Sequence, residues 1–244
     1  KIINRKIIKL FRRGKNIFIH LNDKQTIAIH LKMTGQLIWQ PKKGSTIIGG
    51  HPQKDGHLNL PNKFTRLFFS LNDESRLYFN DARRFGWIKV FDEKQLANFQ
   101  EKLGFEPLNS EFTFKKFESL LEESKNKKIK PFLLDQSKIA GLGNIYTDEV
   151  CFLARISPQR KIADIENSEK KKLFEAIKKI LRQSIKNKGT SFRDYLTSDG
   201  KKGGFVPFLK VYGRAKMPCL KCRQPIKKEK MFGRGTHFCP QCQH

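Results

Sequence analysis

Short apolar runs separated by polar turn residues dominate the first 92 positions of the chain. The runs at Asn16–Leu21 and Thr26–His30 flank an Asn-Asp-Lys segment, and those at 67–71 and 76–79 flank an Asn-Asp-Glu segment. Each arrangement is typical of two half-buried strands joined by a turn. Several such strands predict an antiparallel β-sandwich or barrel, in which residues 41–61, rich in Gly, Pro and His, form a loop.

The pattern becomes helical from about residue 93 onwards. Apolar residues recur at helical spacing through 96–103 and again through 114–121. The basic run at 124–130 is either a solvated face or a phosphate contact. The clearest helix begins near Ser168 and ends at Gly189. Its predicted apolar face consists of Leu173, Phe174, Ile177, Leu181 and Ile185.

Residues 131–150, PFLLDQSKIAGLGNIYTDEV, contain a glycine turn that opens a predicted helix. Gly141 and Gly143 allow a tight turn with exposed N–H groups, and Asn144 is a favourable helix N-cap. Unpaired N–H groups at the positive end of a helix dipole predict an anion site. In so basic a chain, the expected anion is a nucleic-acid phosphate. The alternative is an ordinary turn between two core helices.

The charge of the chain favours a polyanionic partner. Its 244 residues include 50 Lys and Arg against 23 Asp and Glu, which gives a net charge of +27. Such an excess suits binding to a nucleic-acid backbone. An anionic lipid surface is the rival interpretation, and a Lys-rich genome explains part of the excess. No apolar run of about 18 residues predicts a membrane span, and no signal-peptide pattern is visible.

Four of the five cysteines lie in the last 26 residues. Their spacing, Cys-x2-Cys-x16-Cys-x2-Cys, predicts one tetrahedral Zn²⁺ site rather than disulfides. Four thiolates leave no open position for water, so this zinc is predicted to be structural. Cys151 lies among apolar residues and is predicted to be a buried small hydrophobe. The predicted zinc ligands are Cys219, Cys222, Cys239 and Cys242.

Three short motifs carry candidate nucleic-acid contacts. His30 and Met33 follow a predicted strand, where they are either a strand-end histidine and a core methionine or functional groups. Arg83 and Phe85 follow another strand and form either a charged turn with a buried Phe or an apolar wedge with a cation beside it. Arg234 lies between two glycines of the predicted zinc hairpin, where it is either solvated or close to a phosphate.

The motifs HLKMTGQL, NDARRFG, GLGNIYTDE, TSDGKKGGF, KVYGR and GRGTHFCPQCQ resemble those of bacterial formamidopyrimidine-DNA glycosylases, and they occur in the family's order. This is a family of helix–two-turn–helix DNA glycosylases and AP lyases. The resemblance implies a multi-domain α+β fold with DNA in the cleft between domains. It places an N-terminal antiparallel β-sandwich at 1–92, a helix–two-turn–helix domain at 93–210 and a C-terminal zinc-finger β-hairpin at 211–244.

The resemblance also implies residue roles. Lys15 matches an active-site lysine that assists β-elimination, and Arg234 matches the finger arginine that holds the lesion phosphate and takes part in δ-elimination. Met33, Arg83 and Phe85 match the triad that fills the gap left by the everted base. The remaining positions that resemble DNA contacts are His30, Lys125, Asn144, Tyr212 and Lys228.

Some positions depart from the family pattern. Lys32 stands where members often have Gly, and Phe64 stands where they often have His. Residues 197–205 do follow the pattern and resemble the loop that closes over the damaged purine. The family's nucleophile, an N-terminal proline followed by a glutamate, is not in this chain. We therefore expect a few dozen residues to be missing before Lys1, and we expect the chain as written to bind duplex DNA without cleaving it.

The implied activity is removal of oxidised purines, such as 8-oxoguanine and formamidopyrimidines, with strand nicking by β,δ-elimination. The related endonuclease VIII type, which removes oxidised pyrimidines, is disfavoured by the long 197–205 loop. A non-catalytic damaged-DNA-binding protein and a generic zinc-ribbon binder are further alternatives, and the last leaves most motifs unexplained. The expected partner is duplex DNA with oxidised bases and not a membrane. The expected state is a monomer in the bacterial cytoplasm, associated with the nucleoid.

Overall fold

The computed structural model describes residues 2–51, 56, 58–190 and 203–244, which form two compact units. The first unit lies within Lys1–Phe99 and Asn187–Val206, and the second lies within Gln100–Lys186 and Pro207–His244. Most of the predicted lesion loop, residues 197–202, falls outside the described residues. In the described part of the chain, no helix has both the length and the apolar character needed to span a bilayer.

The described part of the first unit contains two antiparallel four-stranded sheets. Their strands are β1 (Ile7–Arg13), β2 (Asn16–Leu21), β3 (Thr26–His30), β4 (Gly35–Gln40), β5 (Ile47–Gly50), β6 (Thr65–Ser70), β7 (Arg76–Asp81) and β8 (Trp87–Phe91). One sheet has the order β1-β2-β3-β8, and the other has the order β5-β4-β7-β6. The predicted antiparallel β-sandwich is therefore confirmed.

Alternation along the strands sends apolar side chains to both faces of the first sheet. Ile19 and Ile29 pack with Phe79 of the other sheet in a buried cluster between the two sheets. Phe18, on the opposite face, stacks on Phe11 with ring centroids 4.8 Å apart. Phe18 also meets Phe99 edge-on, so the first helix, α1 (Glu93–Glu101), covers this outer face. Aromatic packing therefore stabilises both sides of the sheet.

The prediction of a loop across 41–61 is wrong in one part, because β5 lies inside it. Ile47–Gly50 contains two glycines, which form strands poorly on their own. Antiparallel pairing with β4, from Gln36 opposite Gly50 to Trp39 opposite Ile47, holds this segment as a strand. A distant partner therefore overrides the local preference.

The second unit is mainly helical and ends in a hairpin. After α1 its elements are α2 (Phe114–Glu122), α3 (Ile129–Leu134), α4 (Asn144–Ala154), α5 (Asn167–Lys186), β9 (Lys227–Met231) and β10 (Arg234–Phe238), with 3-10 turns at Ile162–Asp164 and Val206–Phe208. A cluster that includes Phe117, Phe132 and Val150 forms its core, and Leu173 and Ile177 of α5 are fully buried within it. Ile185, predicted on the same face of α5, is 67% exposed.

Candidate nucleic-acid interface

Two connections cross between the sheets at one end of the sandwich. Residues 31–34 link β3 to β4, and residues 82–86 link β7 to β8. The last residue of β3 pairs with the first residue of β8, and the first residue of β4 pairs with the last residue of β7. The two connections therefore run side by side in opposite directions. This topology brings together two motifs that are about fifty residues apart in the sequence.

The crossing connections present Met33, Arg83 and Phe85, which we call the gap-filling triad after the role that the resemblance implies for them. Met33 is 56% exposed and Phe85 is 53% exposed, so the alternatives of a core methionine and a buried phenylalanine are wrong. The guanidinium carbon of Arg83 lies 4.6 Å from the centre of the Phe85 ring, which is cation–π distance. Apolar side chains beside a cation are suited to entering a base stack.

His30 lies where β3 meets the first connection and is held as a neutral imidazole. Its Nδ1 accepts a hydrogen bond of 2.9 Å from the backbone N–H of Lys32, which leaves the ring proton on Nε2. Burial, together with the charges of Lys32 and Lys15, lowers the pKa of His30 to about 4. Lys32 itself has a φ of +50°, a conformation that favours glycine and explains why a glycine suits this position.

We expect the DNA-free protein to show a His30 imidazole titration midpoint near pH 4. Because the folded pKa lies below the ordinary value of about 6.5, His30 contributes stability that is present above pH 6.5 and declines as the pH falls towards 4. NMR titration, with the resonance assigned by the His30→Gln variant, measures the midpoint. A midpoint between 6 and 7 would contradict this account of burial and neighbouring charge.

Lys15 adds a second cation at this end of the sandwich. It is exposed in the turn between β1 and β2, after Gly14, whose φ of +59° makes the turn possible. The charge of Lys15 contributes to the lowered pKa of His30, so the two side chains share one positively charged region. The first unit therefore places Lys15 and His30 at the same end of the sandwich as the gap-filling triad.

In the second unit, helix α4 begins beside the zinc hairpin. Gly143 is its N-cap, with no side-chain capping bond, and Asn144 is the first helical residue, so the prediction of Asn144 as the N-cap is wrong. The Asn144 side chain instead donates from Nδ2 to the carbonyl oxygen of Gly235, at 2.9 Å. Because a helix cannot satisfy its first N–H groups internally, the start of α4 is suited to binding an anion.

The hairpin displays basic side chains around a tight turn. Phe232 and Gly233 both have positive φ, of 51° and 72°, as a two-residue type I′ turn requires. Arg234 is exposed at the start of β10, next to Gly235, which accepts the hydrogen bond from Asn144. Lys228 is exposed on β9. Asn144 and Arg234 therefore lie close together, although 90 positions separate them in the sequence.

The four cysteines predicted to bind zinc converge at the base of the hairpin. The Sγ atoms of Cys219 and Cys242 are 3.9 Å apart, those of Cys222 and Cys239 are 3.4 Å apart, and all four lie within 4.8 Å of one another. Tetrahedral zinc with Zn–S bonds of about 2.3 Å needs sulfur atoms about 3.8 Å apart. The donor set therefore fits one structural Zn²⁺. Cys151 is separate from this group, and burial strongly raises the pKa of its thiol.

A buried ion pair joins the helices to the hairpin, and the sequence did not reveal it. Lys130 belongs to the basic run predicted to be either a solvated face or a phosphate contact, but its side chain is completely buried, so both interpretations are wrong for this residue. Its Nζ lies 2.5 Å from Asp148 of α4 and donates to Thr236 of β10 at 2.8 Å. Asp148 also accepts the backbone N–H of His237 at 2.8 Å. The acidic pair Asp148 and Glu149, inside an otherwise apolar helical stretch, was the sequence signal that could have indicated a buried ion pair.

Glu149, the next residue of α4, binds the segment that leads into the zinc module. Its carboxylate accepts three consecutive backbone N–H groups, from Lys210, Val211 and Tyr212, at 2.8–2.9 Å. Burial nevertheless raises the pKa of Glu149, against the effect of these hydrogen bonds. The Tyr212 ring centre lies 4.7 Å from that of His237. Tyr212 is therefore fixed beside the hairpin, whereas Lys125 lies just after α2 in an exposed ion pair with Glu122.

Family models match most of the chain. The formamidopyrimidine-DNA glycosylase N-terminal domain matches residues 1–88, and the H2TH domain of the same glycosylase matches residues 103–195. A zinc finger found in FPG and IleRS matches residues 218–244. The three matches follow the order of the sandwich, the helices and the hairpin.

Individual relatives agree with the family models. A formamidopyrimidine-DNA glycosylase from Heliobacterium modesticaldum is 41% identical over 242 residues, which cover 98% of this chain and 82% of that protein. Solved structures of Lactococcus lactis Fpg with DNA containing an abasic site (TM-score 0.83, 34% identity) and with DNA containing Fapy-dG (TM-score 0.82, 33% identity) are similar, and each alignment covers 98% of this chain and 83% of the other. The chain belongs to the formamidopyrimidine-DNA glycosylase family.

Proposed function

We propose that the protein is a base-excision-repair DNA glycosylase and AP lyase that removes oxidised purines from duplex DNA. The observation that carries this proposal is the exposed gap-filling triad of Met33, Arg83 and Phe85 on two adjacent connections. A glycosylase must take its target base out of the stack, which costs a few kcal/mol in lost stacking and pairing. Side chains that enter the vacated space offset part of that cost.

The triad divides this work according to side-chain chemistry. The Met33 and Phe85 side chains are apolar and suited to stacking against the exposed faces of neighbouring bases. The Arg83 guanidinium, held over the Phe85 ring, offers a planar set of donors to the base left without a partner. The apolar Met33 and Phe85 side chains have no donors or acceptors with which to select a base, which suits an enzyme that must act on damage at any position.

Phosphate contacts are proposed separately for each unit. In the first unit, neutral His30 offers an Nε2–H donor, and Lys15 offers a cation that favours departure of a phosphate leaving group. In the second unit, Asn144, Arg234, Lys228 and the start of α4 offer hydrogen-bond donors and positive charge to the DNA backbone. In the proposed reaction an amine displaces the damaged base, and β,δ-elimination then expels the two flanking phosphates.

Relatives indicate the substrate class. The L. lactis relative was solved with Fapy-dG in its DNA, which is an oxidised purine lesion, and also with an abasic site, which is what base excision leaves behind. We therefore favour oxidised purines over the oxidised pyrimidines of endonuclease VIII-type enzymes. Because such lesions arise in the chromosome, we infer that the protein works in the cytoplasm at the nucleoid.

The direct test uses the full-length protein and a duplex that contains 8-oxoguanine opposite cytosine. Borohydride is expected to trap a covalent protein–DNA adduct, and without borohydride the strand is nicked with phosphate at both ends. A duplex with thymine glycol, an oxidised pyrimidine, is expected to react much more slowly. If the full-length protein gives no adduct on 8-oxoguanine, or prefers thymine glycol, the proposed substrate class is wrong.

A further inference from the structure

A buried carboxylate lies beneath the gap-filling triad. Asp81 is the last residue of β7 and has no solvent exposure. Its backbone N–H donates to the carbonyl oxygen of Phe64 at 2.9 Å, and its own carbonyl oxygen accepts from Nε of Arg66 at 2.8 Å. The main chain of Asp81 is therefore fixed, and its side chain projects from a rigid strand end.

The Asp81 carboxylate binds both crossing connections at once. Oδ1 accepts a short hydrogen bond from the Thr34 hydroxyl of the first connection. Oδ1 also accepts the backbone N–H of Arg83 at 3.2 Å, and Oδ2 accepts the backbone N–H of Gly86 at 2.6 Å. The Arg83 N–H is shared with the Thr34 hydroxyl oxygen, at 3.1 Å. The two connections are therefore joined through one buried group.

The connections have little room to shift. A Cβ on Gly86 would lie 2.8 Å from the Phe79 ring and 3.0 Å from the Asp81 carboxylate, which leaves no space for a side chain. A Cβ on Gly35 would lie 2.4 Å from the carbonyl oxygen of Leu31. Arg84 has a φ of +59°, so the second connection also contains a conformation that non-glycine residues seldom adopt. Close packing and a sparsely populated backbone conformation both depend on the surrounding hydrogen bonds.

A buried carboxylate is expensive to desolvate, and its hydrogen bonds only offset that cost, so stability alone does not account for a charged group at this position. In the same sheet, Ile38 and Tyr78 stabilise the fold by burying apolar surface, which does not require a charge to be desolvated. What the carboxylate adds is geometry, because it fixes the backbone of Arg83 directly and that of Met33 through the adjacent Thr34. The side chains of the triad then start from one defined arrangement before any DNA is bound.

We infer that Asp81 and Thr34 are positioning residues for base eversion, which join the two connections so that Met33, Arg83 and Phe85 enter the DNA as one preorganised unit. This inference rests on the proposed function. It assigns a role to two residues that touch neither the base nor the reacting atoms. Their effect is exerted on the step in which the damaged base leaves the stack, rather than on overall DNA affinity.

The Thr34→Val variant tests the inference, because it removes the hydroxyl and keeps the shape of the side chain. Single-turnover excision of 8-oxoguanine by the full-length protein is expected to slow by about tenfold or more, since misplacing a preorganised group by about 1 Å is costly. Cleavage of a preformed abasic site, which has no base to evert, is expected to stay within about twofold of wild type. Thr34→Ser, which restores the hydroxyl, is expected to recover most of the excision rate.

Thr26→Val is the matched control. Thr26 is a fully buried threonine of the same unit whose hydroxyl pairs with Nδ1 of His20 at 2.8 Å, so the chemical change is the same and lies outside the proposed site. Amide hydrogen exchange supplies a readout that does not depend on activity. Exchange across residues 82–86 is expected to accelerate in Thr34→Val and to stay unchanged in Thr26→Val.

The results of these experiments distinguish failure of the positioning role from failure of the proposed function. If exchange at 82–86 is unchanged in Thr34→Val, or if its excision and abasic-site cleavage fall in parallel, the positioning role is refuted. If wild-type protein leaves 8-oxoguanine untouched, the proposed function fails, and the exchange result still decides whether Thr34 and Asp81 join the connections. Asp81→Asn, which replaces one acceptor oxygen by an NH2 donor, is expected to slow excision at least as much as Thr34→Val.

Discussion

Replacing Cys239 by Ser is expected to release zinc, disorder the β9–β10 hairpin and weaken DNA binding by at least about tenfold, because the phosphate contacts proposed for Arg234 and Lys228 would be lost together. Structural zinc contributes about 10–16 kcal/mol of apparent binding free energy in small zinc modules. In this protein the hydrophobic cluster around the zinc module contains few buried residues, so the module depends on its metal. Metal analysis measures the stoichiometry, and fluorescence anisotropy with a labelled abasic-analogue duplex measures the affinity.

Cys151→Ala is the control for the loss of a cysteine. Cys151 is fully buried in α4, away from the four converging sulfur atoms, so this variant is expected to keep one zinc per chain and wild-type DNA affinity. Retention of one tightly held zinc by the Cys239→Ser protein would show that the other three cysteines suffice. Unchanged DNA affinity after zinc loss would show that the hairpin is dispensable for binding.

Replacing Lys130 by Met is expected to lower the free energy of unfolding by about 3–5 kcal/mol, because it leaves the carboxylate of Asp148 buried without its cation. Both side chains of this pair have no solvent exposure, and Lys130 also loses its hydrogen bond to Thr236. Urea unfolding of the full-length protein measures the change. The double variant Lys130→Met with Asp148→Asn removes the isolated charge and keeps an acceptor for the His237 N–H, so partial recovery is expected.

Lys127→Met makes the same substitution three residues earlier. The Lys127–Asp135 pair is 3.6 Å apart with side chains 53% and 31% exposed, so its loss is expected to cost less than about 1 kcal/mol. If Lys127→Met and Lys130→Met are equally destabilising, burial does not govern the strength of the Lys130–Asp148 pair. If the double variant Lys130→Met with Asp148→Asn is less stable than Lys130→Met alone, the isolated Asp148 charge is not the cause of the lost stability.

Local signals in the sequence predicted some parts of the fold correctly. The strands Asn16–Leu21 and Thr26–His30 were placed correctly because two short apolar runs with a polar turn between them mark them locally. The zinc ligands were found because their spacing is itself the signal. β5 was missed because its glycines become a strand only through pairing with β4.

The site was harder to predict, because burial of charge depends on distant partners. Lys130 looks like any other member of a basic run, and its burial is decided by Thr236, 106 positions away. Asp81 looked like part of a charged turn, and its connection to Thr34 spans 47 positions. The roles assigned to Arg83 and Phe85 came from resemblance and stay predictions, whereas the exposure of Phe85 is a property that the local pattern left open. Local patterns therefore identified candidate residues but not the groups that orient them.

Helix α4 has a consequence for how metal and DNA affect one another. Its first residue bonds to the hairpin backbone, and Asp148 and Glu149 hold the hairpin and the segment leading into the zinc module. Whatever factor zinc adds to DNA affinity, bound DNA must add the same factor to zinc affinity, because equilibrium coupling is reciprocal. An enzyme engaged on damaged DNA therefore resists loss of its metal more strongly than the free protein does, so repair and metal retention reinforce each other.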